Sequence, residues 1–221
     1  MSPRTNFEQE LGSLKEHISQ MGKAVEEAFT TLLRAIAVND REKLEEIQNN
    51  DRKINEMERK IEAECLSVIT RQQPVLASDL RLVSSVLKAV SDLERIGDHA
   101  ADIAEMAMRL DGISYKDYSK TLPYMLDETR HILCDAVELF LNRDGESAKE
   151  FYKRDDVIDN LFNLVKEEMI ACLKEGSKDA DACVDLLLIA KYLERIGDHA
   201  VNISEWEVFK ETGNVKEFRL L

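Results

Sequence analysis

The chain has 221 residues, 33% of them charged and 44% hydrophobic, with only 8 Gly and 3 Pro, a scarcity of breakers that predicts long helices. A formal net charge of -14 repels a phosphate backbone, which argues against nucleic acid and for cations or basic patches on a protein partner. No stretch reaches the uncharged length of a membrane span, and the start of the chain lacks the apolar core of a signal peptide, so a cytoplasmic protein is expected.

A first helix is predicted over about residues 5–38, and Asn39 followed by Glu42 reads as a capping box that opens a second. Pro74 and Ser78 separate the second helix from a third, and Gly112 breaks the chain between its two halves. Pro123 falls near the start of a fourth helix, from where it could kink it. Gly145 and Gly176 divide the second half as the first is divided, and Gly213 ends the last helix. Cys65, Cys134, Cys172 and Cys183 form no CxxC pair and lie in apolar helical patterns, as reduced packing residues do. Trp206 continues the last helix and reads as a packing residue.

Residues 93–100, Leu-Glu-Arg-Ile-Gly-Asp-His-Ala, recur unchanged at 193–200, and Ile103 and Glu105 recur as Ile203 and Glu205. Upstream, Asp51, Ile54, Asn55 and Met57 fall opposite Asp155, Ile158, Asp159 and Leu161. This is an internal duplication. Ala89, Leu93, Ile96, Ala100 and Ile103, with Ile189, Leu193, Ile196, Ala200 and Ile203, follow spacings of 4, 3, 4 and 3, the mark of a bundle seam. The pattern predicts an all-α protein of two tandem three-helix bundles, residues 1–111 and 117–213, with a C-terminal tail at 214–221. One merged bundle is the alternative.

Glu94, Asp98 and Asp102 recur at every fourth position, as do Glu194, Asp198 and Asn202, so each set drifts by only ~40° per step along one helix face. Like charges so spaced repel, by ~0.2 to 0.5 kcal/mol per pair on an isolated helix. Arg95 and Arg195 could offset part of this through the aspartates three residues on, and a bound cation would offset more. Helical geometry sets these acids opposite the apolar seam, so they are expected to face solvent. Asp51 and Asn55 lie at the edge of the second helix's apolar stripe, and Asp155 and Asp159 at that of the fifth. Two all-oxygen clusters are therefore candidates: Asp51, Asn55, Glu94, Asp98 and Asp102, and Asp155, Asp159, Glu194, Asp198 and Asn202. Oxygen ligands suit magnesium, calcium, manganese or iron. A merely solvated charged face is the plainer reading of each stripe, although it gives little reason for identical residues in both halves.

His99 and His199 lie ~140° from the glutamates and are expected to be structural or partner-facing. Gly97 and Gly197, each costing a helix ~1 kcal/mol relative to alanine, suggest close helix approach or room for a ligand. The chain lacks a glycine-rich phosphate loop, a GxSxG elbow and an HExxH zinc helix. Its one Glu-x-x-His spacing, Glu128 to His131, has no twin to make a diiron site. Catalysis is not indicated.

The strings at residues 93–105 and 193–205 closely resemble the doubled signature of the PhoU family, in both sequence and position along each half. The resemblance runs from about Phe7 to Phe209. It implies a non-enzymatic cytoplasmic regulator of phosphate uptake and phosphate-starvation signalling. Such proteins act as adaptors between the ATPase PstB of the phosphate ABC transporter and the sensor kinase PhoR. The resemblance also implies surface multinuclear metal clusters, held here by Glu94 with Asp98 and Glu194 with Asp198. Iron is the metal it suggests, with manganese or magnesium also compatible. A homodimer is expected, with membrane association only through partners. Asn55 opposite Asp159, and Asn202 opposite Asp102, leave the two clusters unequal in charge. The alternative from another class is a protein that stores or buffers iron.

Overall fold

A computed structural model describes residues 3–71, 76–110, 112–142, 148–176 and 179–213. It is all-helical, with six long helices: α1 (Pro3–Val38), α2 (Arg41–Arg71), α3 (Ala77–Arg109), α4 (Leu122–Asn142), α5 (Ala148–Lys174) and α6 (Ala180–Thr212). A single 3-10 turn, Tyr115–Asp117, precedes α4. Pro74, Gly145 and the tail at 214–221 lie outside the described residues.

The connections follow local chemistry. Asn39 is not the cap of α2 but the turn residue before it, with φ +53°, a left-handed conformation that asparagine tolerates better than most residues. Asp40 is the cap, its Oδ1 accepting from the Lys43 amide at 3.1 Å. Gly112, Gly176 and Gly213 all take positive φ, and the Gly213 amide closes α6 on the Phe209 carbonyl at 2.8 Å. Pro123 is the second residue of α4, in the first turn, where a missing N–H costs no helical hydrogen bond and no kink is required. Glu168 of α5 ties down that turn by accepting from the Thr121 hydroxyl at 2.9 Å.

All ten seam residues are buried. They belong to one continuous core that includes Phe29 and Met21 of α1, Ile61 of α2, Met125 and Ile132 of α4 and Phe151 of α5. The broadest helix pair in the molecule is α3 against α6. These two run antiparallel: Arg109 at the end of α3 lies 3.8 Å from Asp185 near the start of α6, and Arg81 near the start of α3 donates from Nε to the Lys210 carbonyl near the end of α6. The duplicated three-helix units are therefore fused through their third helices, with α1 and α4 also packed on each other. The cysteines are free thiols, and burial pushes that of Cys65 up to about 12. Among the described residues no helix is long and apolar enough to cross a membrane.

Candidate functional site

Each copy of the repeated string lies on the long helix that also forms the shared core, α3 or α6, and its acidic edge meets the preceding helix. Gly97 and Gly197 make that approach possible. A Cβ at Gly97 would stand 2.9 Å from Ile54 Cδ1, and one at Gly197 would stand 3.2 Å from both Asp155 Oδ1 and Ile158 Cδ1. Close helix approach thus accounts for both glycines. At Gly197 it also lets an α5 aspartate into the groove.

In the groove between α2 and α3, Asp51 lies within reach of the Asp98 charge and accepts from Asn55 Nδ2 at 2.9 Å. Its other oxygen, Oδ1, is buried without any hydrogen-bond partner. Burial, then the Asp98 charge, raises the pKa of Asp51, while burial followed by Asp98, Glu58 and Asp51 raises that of Glu94. Asp102 sits at the edge of the group, 43% exposed and 3.6 Å from His99 Nδ1. Arg95 donates to Asp98 at 3.1 Å and lies 3.6 Å from Glu94.

The groove between α5 and α6 repeats the arrangement with Asp155, Asp159, Glu194 and Asp198. Asp155 Oδ1 is again buried without a partner. Burial first, then Asp198 and Asp159, pushes the Asp155 carboxyl up to about 7. Burial and Glu194 raise both Asp159 and Asp198. Lys191 forms an ion pair with Glu194. Arg195 lies over the Tyr192 ring, 5.8 Å from its centroid, so the expected pair with Asp198 is not the one it makes.

Three expectations need correction. The glutamates do not face open solvent: the Glu94 and Glu194 side chains are only 14% and 15% exposed, because α3 and α6 each pack against three long helices. Asn202 turns to the interface between the halves, where its amide donates to Asp92 at 3.1 Å. Glu58, absent from the candidate set, belongs beside Glu94 and Asp98. It lies one helical turn beyond Asn55, a spacing that could have revealed it, but its counterpart in the repeat is Phe162.

Beside the grooves, His99 and His199 stack across α3 and α6 with ring centroids 5.6 Å apart. His199 Nδ1 donates to Asp92 at 2.8 Å. The histidines are therefore structural parts of the junction and not members of the acid clusters.

The donor chemistry fits a hard cation. Each groove holds carboxylates that burial and mutual repulsion drive toward protonation, with one orphaned aspartate oxygen, and a cation relieves both costs. In the arrangement seen, no three His, Cys, Asp or Glu side chains among the described residues stand close enough to hold an ion together. Rotation of the glutamates and of Asp98 or Asp198 into the groove would be needed.

Duplicated three-helix units, fused through the helices that carry a repeated acidic string, define the class of protein. The PhoU domain matches residues 18–107 and again 122–206. A phosphate-specific transport system accessory protein PhoU homolog of Clostridium acetobutylicum is 33% identical over 95% of this chain and 96% of its own. Homolog 1 of Thermotoga maritima is 34% identical over 99% and 94%. The crystal structure of PhoU from Pseudomonas aeruginosa superposes with a TM-score of 0.86 at 30% identity, covering 94% of this chain and all of that one. The phosphate transport system regulatory protein PhoU of Streptococcus pneumoniae gives 0.83 at 31% identity. The chain belongs to the PhoU family, a family of accessory and regulatory proteins and not of enzymes.

Proposed function

We propose that this chain is a cytoplasmic accessory and regulatory protein of phosphate-specific transport. It acts as an adaptor that docks on the transporter ATPase and on a phosphate-responsive sensor kinase, and it works as a homodimer. The observation that carries this reading is the match to phosphate transport accessory and regulatory proteins across nearly the whole of both chains. The fused fold suits an adaptor, since it leaves the outer faces of two similar units available on one molecule.

We further infer that the two grooves bind metal ions, iron by preference, with manganese and magnesium as the other candidates. Asp51, Glu94, Asp98 and Asp102 would hold one group, with Asn55 and Glu58 beside them, and Asp155, Asp159, Glu194 and Asp198 the other. Bound cations supply positive charge between helices whose carboxylates otherwise repel. Glu94 and Asp98 then join α3 to Asp51 of α2, and Glu194 and Asp198 join α6 to Asp155 of α5.

The test is genetic and biochemical. Deleting the gene is expected to derepress phosphate-responsive transcription in high phosphate, and a tagged chain is expected to recover the transporter ATPase or the kinase from membranes. Unchanged transcription together with no such component recovered would remove the adaptor reading. Regulation retained by an Asp98→Asn plus Asp198→Asn variant that has lost its metal would assign the grooves to metal handling instead.

A further inference from the structure

At the end of the molecule where α6 finishes, a cavity of about 470 Å³ opens between the halves. It draws its lining from α1 and α3 of the first unit and from α4 and α6 of the second. Leu82, Val86, Phe140 and Leu141 give it apolar walls, and the cations Lys15, Arg81 and Lys210 line it as well. The lining is mixed, with Ser19, Ser78 and charged side chains set beside these apolar walls, and a hollow of this size so lined can take a small amphiphilic molecule.

The three cations differ in how far they are neutralised. Lys210 pairs with Glu207 and donates to the Phe140 carbonyl at 3.1 Å. Arg81 packs its stem on Gly213 and makes one weak hydrogen bond, from Nε to the Lys210 carbonyl at 3.5 Å. Its guanidinium is thereby held in place, yet it has no ion pair among the described residues. Lys15 has none either. Lys15 and Arg81 thus bring two cations without ion pairs among the described residues to one cavity in a chain of net charge -14. Asp79 and Glu211 also line the cavity, so the local excess of positive charge is small and suits a single negative charge better than a double one.

We propose that this cavity binds a small organic monoanion, with its carboxylate at Lys15 and Arg81 and its apolar body against Leu82, Val86, Phe140 and Leu141. Because both units contribute walls, an occupant spans the junction between them. The site lies apart from the acidic grooves and stands independently of their metal content.

Calorimetric titration of the full chain with naphthoate tests this. Saturable binding is expected, with acetate, which lacks the apolar body, and naphthyl methanol, which lacks the charge, weaker by about tenfold or more. Lys15→Gln, which removes a side chain without an ion pair among the described residues, is expected to keep the melting temperature and weaken naphthoate about tenfold. Lys23→Gln, a cation on the same helix outside the cavity, is expected to bind as the wild type does. Absence of saturable binding, equal affinity for the alcohol and the acid, or equal affinities of the two lysine variants would overturn the proposal.

Discussion

Asp155 lies where a helix has been brought close by a glycine, and its carboxyl is pushed up to about 7 by burial and by its acidic neighbours. In the unfolded chain it ionises near 3.8. Between those values the folded state keeps a proton that the unfolded state has lost, so its contribution to stability falls as pH rises through the window. His99 works in the opposite sense, since burial and then His199 lower its pKa below 6.5. Its contribution therefore falls as the solution becomes more acidic. Comparing metal-free wild type with Asp155→Asn separates the two. Wild type is expected to lose melting temperature from about pH 4 to pH 7, and the variant to lose less of it. Added divalent cation should stabilise wild type more at the alkaline end, because the ion replaces a proton. Parallel pH profiles for the two proteins would contradict this reading of Asp155.

At the scale of elements, the junction of α3 with α6 rests on more than its apolar seam. Asp92 of α3 accepts from His199, Asn202 and Trp206 of α6, at 2.8, 3.1 and 3.2 Å. Replacing it with alanine removes the acceptor that these donors share, at a cost of about 1 to 3 kcal/mol for a buried group. Asp92→Ala is expected to lower stability in denaturant by that amount and to shift Trp206 fluorescence in the native state. A change under half a kcal/mol, with unaltered fluorescence, would show that the seam alone holds the halves together. This cluster was not legible in the sequence. The repeat sets Asp92 opposite Tyr192, so the duplication that revealed the seam gave no sign of a contact present only once. Helix periodicity did reveal the seam, since every residue in it must be buried for the pattern to persist. The start of α2 was missed by one residue because Asn39 and Asp40 are both good caps, and the turn geometry chose between them.

At the scale of the whole molecule, fusion of the two units explains why the acids are less exposed than a single helix suggests. A helical wheel assigns a face, but it does not say how many neighbours surround the helix. Each long inner helix has three, so the stripe opposite the seam becomes the wall of a groove. The same geometry gives each half one orphaned aspartate oxygen in a cluster of repelling carboxylates, and metal content tests that arrangement most directly. Protein purified without chelator, analysed for its elements beside an Asp98→Asn plus Asp198→Asn variant of equal helical content, is expected to carry iron or another hard cation that the variant has lost. Wild-type protein free of metal, or a variant that retains as much as wild type, would contradict the account.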